Sequence, residues 1–444
     1  MKKFQRGPGR RGAAENVMVS EERVMPVWKV RGGKKLHGVV HTQGSKNAVL
    51  PIMAASLIGG GVSRLTNCPR LQDVDASVDI LRCLGCAVAL SGGEIVIDSS
   101  GMNGNHIPHE LMLRMRSSVM YLGAILARCG EARISTPGGC ELGSRPIDLH
   151  LKALESLGAE VVEEGGEVLC RCRAGRLAGA HINLDFPSVG ATENVMLAAC
   201  AAEGETVLTN AAREPEICDL QAFLNAKGAE ISGAGSPVIH IRGFQGRGET
   251  EHAVMPDRIA AATWLCAAAA AGGDVLAEGV MPQHLEALCD CLKDMGCGVV
   301  AGRDSVRLRA PERLRAGKPV ITRPYPGFPT DAQALLMAAS LKAEGTSVFV
   351  ENIFENRFRH TGELRRLGAL LRVEGRVAMI TGVPALRGAP VTAPDLRGGA
   401  ALLIAGLAAD GETTVYDSGH IERGYDDPAG ALRALGAEIE RIDS

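Results

Sequence analysis

The sequence predicts an α/β protein built from six related helix–sheet units, and two recurring phrases support this prediction. The first phrase is a leucine-containing stretch that ends in Gly-Ala or a close variant, such as LESLGAEV at 154–161 and LRALGAEI at 432–439. Self-similarity at a fixed period is typical of repeated supersecondary units. The glycines of this phrase, spaced by 73, 70, 68, 72 and 68 residues, are Gly85, Gly158, Gly228, Gly296, Gly368 and Gly436.

The two phrases together predict the elements of each unit. The first phrase is expected to end a helix, because glycine readily adopts the left-handed conformation at a helix C-terminus, and a strand follows it. The second phrase is a glycine followed by a β-rich run, such as GETVLT at 204–209 and GTSVFV at 345–350. An Ala-, Leu- and Met-rich stretch precedes it, such as NAVLPIMAASLI at 47–58. These stretches are apolar on nearly every face, so we expect buried helices.

Six units of about 70 residues could form one open solenoid or two globular groups of three. Open arrays usually have shorter repeats and polar end units, whereas buried helices surrounded by sheets favour two compact lobes. With three units in each lobe, the boundary between the lobes falls near residue 255. A cleft between lobes is a common ligand site, so we expect the functional site there.

Composition argues against nucleic acid and membranes as partners. The formal net charge is −3 and aromatic residues make up only 3% of the chain, which leaves neither a basic surface nor stacking platforms for bases. The longest apolar run, Ile259–Ala271, is too short to cross a bilayer. Residues 1–26 lack the apolar segment of a secretory signal, and we interpret them as a disordered tail.

The cysteines indicate a reducing compartment. The chain has 13 of them, an odd number in a long sequence, and no second CxxC lies at the spacing of a zinc ribbon. We therefore expect cytoplasmic localisation and no metal site. Cys86 and Cys297 stand where four other copies of the first phrase have Ala, which indicates small core side chains.

One loop contains the highest density of candidate functional residues. The stretch STPGGCELGSRPIDLH, Ser135–His150, lies between the strand and the helix of the second unit, and it is longer than its counterparts. Two glycines precede Cys140, and Arg145 follows five residues later. A nearby cation favours the thiolate, so Cys140 is a candidate catalytic residue. A cysteine in a glycine loop is also often inert, and the spacing alone leaves both interpretations open.

Basic residues recur at the equivalent ends of other units. Lys46 opens a helix, where free backbone N–H groups attract anions, although a solvated lysine is the alternative. Asp331 follows two prolines at a helix start, where N-capping is the alternative. Together the basic residues predict a cleft for a multiply charged anion. They are Lys46, Arg116, Arg145, Arg357, Arg397 and Arg423.

Several segments carry a resemblance that covers the chain from about Val27 to its end. The segments are GSKNA at 44–48, PGGCELGSRPIDLH at 137–150, SVGAT at 188–192, NAAREPEI at 210–217, PDRI at 256–259, FPTDAQ at 328–333, FENRF at 354–358, DLR at 395–397 and RGY at 423–425. In these segments the sequence resembles the UDP-N-acetylglucosamine 1-carboxyvinyltransferases of the enolpyruvyl transferase family. Because unrelated segments match in order, chance is implausible.

The resemblance implies a fold and an activity. The fold is a two-lobed inside-out α/β barrel, with residues 46–255 forming the lobe that carries the Cys140 loop and residues 27–45 plus 256–444 forming the other. The implied enzyme transfers the enolpyruvyl group of phosphoenolpyruvate to the 3′-hydroxyl of UDP-N-acetylglucosamine and releases phosphate. This is the first committed step of peptidoglycan precursor synthesis. The resemblance implies small-molecule substrates and no cofactor or metal, and it leaves the oligomeric state open.

The resemblance also implies roles for residues. Cys140 would donate a proton to phosphoenolpyruvate and can form a covalent adduct with it, and Asp331 would be the base that contacts the sugar hydroxyl. Lys46, Arg145 and Arg423 would bind phosphoenolpyruvate. The implied UDP-sugar contacts are Asn47, Arg116, Arg145, Pro146, Ile147, Asp148, Leu149, Ser188, Val189, Asp331 and Ile353. We add Arg357 and Arg397 as further substrate-binding residues, and we expect the Cys140 loop to close over the cleft.

Four alternatives stay open at this point. The sister 5-enolpyruvylshikimate-3-phosphate synthases share the fold and the donor, but they lack the Cys140 loop and resemble GSK followed by Ser, where this chain has Asn47. A non-catalytic UDP-sugar-binding paralogue would keep the cleft and lose catalytic groups. Ala260 and Asp426, which depart from the family pattern, leave a second-copy paralogue possible. A repeat scaffold for protein partners would have no cleft of cations.

Overall fold

The computed structural model describes residues 25–135, 147–243 and 248–443, and within these residues it contains 24 strands and 13 α-helices. The helices are α1 Lys46–Ala55, α2 Gln72–Cys83, α3 His109–Arg114, α4 Tyr121–Cys129, α5 Asp148–Ser156, α6 Val189–Ala199, α7 Pro215–Ala226, α8 Arg258–Ala271, α9 Glu286–Asp294, α10 Thr330–Ala339, α11 Thr361–Arg366, α12 Leu396–Ala408 and α13 Pro428–Ala434. Short 3₁₀ turns are Arg116–Met120, Pro282–His284, Ser340–Lys342 and Ile421–Arg423.

The strands are short, as expected for units of this length. They are β1 Pro26–Arg31, β2 Leu36–His41, β3 Val62–Thr66, β4 Ala87–Ser91, β5 Glu94–Asp98, β6 His106–Ile107, β7 Glu131–Ser135, β8 Ala159–Glu164, β9 Glu167–Cys172, β10 His181–Asn183, β11 Glu205–Thr209, β12 Glu230–Ser232, β13 Val238–Arg242, β14 Thr250–Ala253, β15 Gly273–Glu278, β16 Gly298–Ala301, β17 Ser305–Arg309, β18 Val320–Ile321, β19 Thr346–Val350, β20 Leu370–Glu374, β21 Val377–Thr381, β22 Pro390–Thr392, β23 Glu412–Tyr416 and β24 Glu438–Asp443.

All six sheets of the described chain have four strands in the same arrangement. An outer strand pairs in parallel with a second strand, which pairs antiparallel with a third, and the third pairs antiparallel with a fourth. The strand orders are β14-β3-β5-β4, β6-β7-β9-β8, β10-β11-β13-β12, β2-β15-β17-β16, β18-β19-β21-β20 and β22-β23-β1-β24. The prediction of six repeated helix–sheet units is confirmed.

The N-terminal strands complete sheets whose other strands come from the second half of the chain. Strand β1 lies between β23 and β24, and β2 pairs in parallel with β15. Strand β14 in turn pairs in parallel with β3. Pro26, which the sequence placed in the disordered tail, is the first residue of β1 and pairs with Asp443, so the prediction was wrong at that residue. Residues 1–24 of the predicted tail lie outside the described residues.

Two hydrophobic cores hold the sheets and helices together. One core contains buried side chains from Ala48 to Met255, and the other joins Trp28–Val40 to Ile259–Ile439. In the second core the apolar helices α8, α10 and α12 pack against each other, and in the first core α4 packs against both α1 and α6. Every residue from Arg397 to Ala408 in α12 is buried, as the apolar pattern predicted.

The recurring glycines end helices or short turns as the sequence predicted. The φ angles of the six glycines lie between 89° and 105°, in the left-handed region that a side chain disfavours. After each of them the chain enters a strand within three residues, so each unit folds back onto its own sheet. Within the described residues, no helix is both long and apolar enough to cross a membrane.

Candidate active site

Lys46 is the first residue of α1, and it is largely buried rather than solvated. Its ammonium forms an ion pair with Asp73 at 2.8 Å, and only 11% of its side chain is exposed. Its backbone N–H donates to a carboxylate oxygen of Asp257 at 3.3 Å. The alternative interpretation of Lys46 as a solvated surface lysine is therefore wrong.

Asp73 lies in the first turn of α2 and binds two cations at once. One oxygen accepts from Lys46, and the other accepts from Nε of Arg423 at 2.8 Å. Burial alone would raise the pKa of Asp73, but the charges of Lys46 and Arg423 hold it below its ordinary value. Burial lowers the pKa of Lys46, Asp73 opposes this shift, and the like charges of Arg423 and Arg397 add to it.

Gln43 fixes the turn that carries Arg423. Its side-chain amide donates to the carbonyl of Gly424 at 3.1 Å and accepts from the backbone N–H of Asp426 at 2.9 Å. The turn is therefore tied to the segment before α1 as well as to α2. Asp426, one of the departures from the family pattern, contributes its backbone to this contact.

Asp331, in the first turn of α10, faces two guanidinium groups. Arg357 donates to one carboxylate oxygen at 2.8 Å, and Arg397 donates to the other at 3.2 Å. Pro329 occupies the N-cap position of α10, so the alternative that Asp331 is an N-cap is wrong. Both arginines are almost fully buried, whereas 29% of the Asp331 side chain is exposed. An exposed carboxylate edge over two buried cations suits contact with a ligand.

Arg397 links the two sets of charges. It lies at the start of α12, which Asp395 caps through the backbone N–H groups of Arg397 and Gly398. Its Nη1 donates to the hydroxyl of Tyr425 at 3.2 Å, and that hydroxyl is 2.8 Å from Oγ1 of Thr263. Burial would lower the pKa of Arg397, but Tyr425, Asp331 and Asp257 more than offset this, and the pKa is raised.

A second group of predicted residues lies at the starts of α5 and α6. Ser188 caps α6, with its hydroxyl accepting from the N–H of Ala191 at 3.3 Å, and Val189 is the first residue of that helix. Nδ1 of His150 in α5 lies 2.7 Å from Nδ2 of Asn194 in α6, which ties the two helices together. Ile147, Asp148 and Leu149 directly precede His150, at the N-terminal end of α5.

The remaining predicted residues are only partly described. Cys140, Arg145 and Pro146 lie outside the described residues, and for Arg116 the structure gives the backbone, at the start of a 3₁₀ turn. Asn47 follows Lys46 in α1 and is partly exposed. The N–H of Ile353 donates to Glu351 at 2.7 Å, which fixes the loop before Arg357.

Sequence reasoning missed Asp73, Asp257 and Tyr425 as parts of the site. Asp257 caps α8 through the N–H groups of Ile259 and Ala260. The backbone of Ala260, a residue that departs from the family pattern, is therefore part of a regular helix cap. The segments PDRI and RGY carry the family resemblance, so Asp257 and Tyr425 within them could have been selected as site residues. Asp73 follows Gln72 in an ordinary amphipathic helix, and no signal in the sequence distinguishes it.

Two of the described cysteines, which the sequence assigned to the core, are buried. Burial raises the pKa of Cys86 to about 11 and that of Cys297 to about 12, which fits the prediction of small core side chains. In the parts of the chain that the structure describes, no group of three His, Cys, Asp or Glu side chains could hold a metal ion.

Comparisons with known proteins agree with this fold. The sequence model of the family EPSP synthase (3-phosphoshikimate 1-carboxyvinyltransferase) matches residues 30–441. The crystal structure of the enolpyruvyl transferase NikO from Streptomyces tendae superposes with a TM-score of 0.84 at 27% identity, covering 95% of this chain and 99% of that one. An EPSP synthase from Acinetobacter baumannii shares the fold, with a TM-score of 0.71 at 20% identity over 94% and 100% of the two chains.

Curated relatives of this chain carry a more specific name than the matched family model. UDP-N-acetylglucosamine 1-carboxyvinyltransferase 2 of Caldanaerobacter subterraneus subsp. tengcongensis is 50% identical over 94% of this chain and 100% of its own length. UDP-N-acetylglucosamine 1-carboxyvinyltransferase 1 of Symbiobacterium thermophilum is 50% identical over 93% and 94%. The fold and the matched family define an enolpyruvyl transferase. Within that class, the chain belongs to the family of the UDP-N-acetylglucosamine 1-carboxyvinyltransferases, and the predicted fold and resemblance are confirmed.

Proposed function

We propose that this chain transfers the enolpyruvyl group of phosphoenolpyruvate to the 3′-hydroxyl of UDP-N-acetylglucosamine, with release of phosphate. The names of relatives at 47–50% identity over nearly the whole chain support the acceptor and the carboxyvinyl group that is transferred. We also propose that the reaction is the first committed step of peptidoglycan precursor synthesis and takes place in the cytoplasm.

The observation that carries the proposal is the arrangement of charges around Asp73 and Asp331. Lys46 and Arg423 both bind the carboxylate of Asp73. Arg397 binds the carboxylate of Asp331, and its positive charge also lowers the pKa of Lys46. Phosphoenolpyruvate carries a phosphate and a carboxylate, so it needs several converging cations. A carboxylate beside these cations can accept a proton from a sugar hydroxyl.

We assign the chemical roles as follows. Asp331 accepts the proton of the 3′-hydroxyl while the oxygen attacks C2 of phosphoenolpyruvate, and Cys140 gives a proton to C3. The Cys140 thiolate takes a proton back from C3 of the resulting tetrahedral intermediate, and phosphate leaves with the proton held by Asp331, which restores the double bond and returns both residues to their starting states. Lys46, Arg145 and Arg423 stabilise the phosphate as charge builds on it, and Arg357 and Arg397 orient Asp331.

The starts of α5 and α6 would hold the nucleotide. Free N–H groups at a helix N-terminus favour phosphate oxygens, and Ser188 with Val189 opens α6. In this proposal Ile147, Asp148 and Leu149, together with Arg116 and Pro146, contact the remainder of the UDP group. Asn47 and Ile353 contact the sugar near Asp331.

The experiment is phosphate release from phosphoenolpyruvate by the purified chain, with and without UDP-N-acetylglucosamine. Release that requires the UDP-sugar and is lost in Cys140→Ala and Asp331→Ala is the expected result. Asp304→Ala, an exposed aspartate in the turn between β16 and β17, serves as the matched control and keeps full activity.

Two further arms separate the alternatives. Shikimate 3-phosphate in place of the UDP-sugar is expected to give no phosphate release, and release only with shikimate 3-phosphate would assign the chain to the sister activity. Calorimetric binding of UDP-N-acetylglucosamine without any phosphate release would indicate a non-catalytic UDP-sugar-binding protein. Either of these results would overturn the proposal.

A further inference from the structure

Asp73 joins the two cations that the proposed function assigns to phosphoenolpyruvate. Lys46 comes from α1, which belongs to the first hydrophobic core, and Arg423 comes from a turn that packs on the second. Only 4% of the Asp73 side chain is exposed, so its charge is compensated by these two partners rather than by water. The two cations are 377 positions apart in sequence, and the shared carboxylate holds them together.

The contacts leave donors on both cations. An ammonium group has three N–H bonds, and one carboxylate oxygen takes one of them. Arg423 uses Nε and Nη2 toward Asp73, at 2.8 and 3.4 Å, so Nη1 is not used by this carboxylate. One third of the Arg423 side chain is exposed, whereas Asp73 is enclosed. Asp73 therefore lies on the protein side of the cations and leaves their other side for an anion.

We propose that Asp73 is a positioning residue for the donor substrate, which holds Lys46 and Arg423 beside the same carboxylate so that both cations can bind one phosphate group. This proposal rests on the proposed function. Asp73 acts through the two cations and does not itself touch the substrate. Gln72, its neighbour, lies against Gly419 in the loop before the same turn, where an added Cβ would come within 3.3 Å of the Gln72 amide. The start of α2 therefore packs against the turn that carries Arg423.

The charges around Lys46 give this role a pH signature. The charged groups around the Lys46 ammonium are Asp73 from α2, Arg423 from the 3₁₀ turn and Arg397 from α12. Asp257 accepts the backbone N–H of Lys46. Asp73 opposes the effects of burial and of both arginines on the pKa of Lys46. If the charge of Asp73 is removed, the pKa of Lys46 falls further, and Lys46 loses its proton at lower pH.

The test is Asp73→Asn, which keeps the shape of the side chain and removes its charge. We expect the KM for phosphoenolpyruvate to rise on the order of tenfold or more, because charge-assisted hydrogen bonds to both cations are weakened. We expect the affinity for UDP-N-acetylglucosamine to stay within about twofold, and the alkaline limb of the kcat/KM profile for phosphoenolpyruvate to move to lower pH. Asp73→Glu is expected to recover part of the loss.

Asp79→Asn is the matched control. Asp79 lies on the same helix, and its carboxylate pairs with Arg114 at 2.6 Å on the surface, away from the cations. It is expected to leave both KM values and the pH profile unchanged. If Asp73→Asn leaves KM and the alkaline limb unchanged, or weakens both substrates equally, the positioning role is wrong. A lower KM for phosphoenolpyruvate would also contradict it, because Asp73 would then compete with the substrate.

Titration with inorganic phosphate separates this inference from the proposed function. If the wild-type chain releases no phosphate from phosphoenolpyruvate, the proposed function fails, but calorimetry of phosphate binding still tests Asp73. Weaker binding to Asp73→Asn than to wild type and Asp79→Asn supports the positioning role. Equal binding by all three proteins overturns it.

Discussion

Arg258 and Glu216 form a buried ion pair that joins the two hydrophobic cores of the chain. Nε and Nη2 of Arg258, in α8, donate to the two carboxylate oxygens of Glu216, in α7, at 3.0 and 3.3 Å. Beside this pair, the N–H of Tyr325 donates to Glu214 at 3.3 Å, and the Arg258 guanidinium lies 5.7 Å from the centre of the Tyr325 ring. Burial would lower the pKa of Arg258, but Glu216, together with Glu214 and Asp331, more than offsets this effect, and the pKa is raised.

Removing Glu216 is therefore expected to destabilise the junction between the cores. Glu216→Ala leaves the Arg258 charge buried without its partner, and the loss for such a change is about 3–5 kcal/mol. The measurement is the thermal unfolding midpoint by calorimetry. The control is Glu203→Ala, which removes an exposed pair with Arg176 and costs less than about 1 kcal/mol. Equal shifts of the unfolding midpoint in the two variants would show that the buried pair stabilises the chain no more than the exposed pair does.

The hydroxyl of Tyr425 is expected to matter through Arg397. Tyr425 is fully buried, and its oxygen accepts from Arg397 and contacts Thr263. Tyr425→Phe leaves a donor of a buried guanidinium without a partner, at a cost of about 1–3 kcal/mol. Because Arg397 also holds Asp331, we expect a loss of kcat in the phosphate-release assay together with the lower unfolding midpoint.

Tyr416→Phe is the matched control for Tyr425→Phe. Tyr416 lies in β23 and is largely exposed, so loss of its hydroxyl is expected to change neither stability nor kcat. Full activity in Tyr425→Phe would mean that Arg397 holds Asp331 without help from the hydroxyl.

Much of the fold could be predicted from the sequence because the repeat is local. Each Gly-Ala phrase lies next to the helix it ends and the strand it starts, so neighbouring residues determine each unit. The strand exchange is different. Nothing near Trp28 indicates that β1 lies between β23 and β24, since Trp28 pairs with Val415 and Arg441, which are 387 and 413 positions away.

The candidate site was predictable where a residue type and a helix start coincide. Lys46 and Asp331 were found in this way, whereas Asp73 was not, because its significance comes from Arg423, 350 positions later. The alternatives of a solvated Lys46 and a capping Asp331 failed for the same reason. The partners of Lys46 come from both cores, and those of Asp331 come from other units of the second core. No local pattern encodes such packing between units.

His150 gives a prediction for acidic pH. Burial lowers the pKa of His150 to about 4, from an ordinary value of 6.5. Between these values the unfolded chain binds a proton that the folded chain does not, so His150 lowers stability as the pH falls from about 6.5 toward 4. At pH 5 its contribution is a loss of about 2 kcal/mol relative to pH 7.

His150→Gln is expected to remove that part of the acid sensitivity. The amide of glutamine can still bond to Asn194 but does not titrate, so the drop in unfolding midpoint from pH 7 to pH 5 is smaller than in wild type. His181→Gln, which removes an exposed histidine of β10, is the control and should keep the wild-type drop. His360, whose pKa burial also lowers to about 4, accounts for part of the sensitivity that remains.

Lys227 gives a prediction of the same sign at alkaline pH. Its ammonium is buried under the end of α1, 3.2 Å from the carbonyl of Gly60 and 3.3 Å from the hydroxyl of Ser63. Burial lowers its pKa to about 8, from 10.5. Between these values the folded chain has lost a proton that the unfolded chain keeps, so the contribution of Lys227 to stability rises with pH across this window.

Lys227→Met isolates this effect, because all other titrating groups are shared with wild type. We expect the stability of wild type minus that of the variant to be constant between pH 6 and pH 7, and to increase from pH 8 to pH 10, measured by urea unfolding at each pH. Lys152→Met, which removes an exposed lysine of α5, should show a constant difference throughout. A flat difference for Lys227→Met as well would mean that its ammonium is not desolvated, and that water reaches it beneath α1.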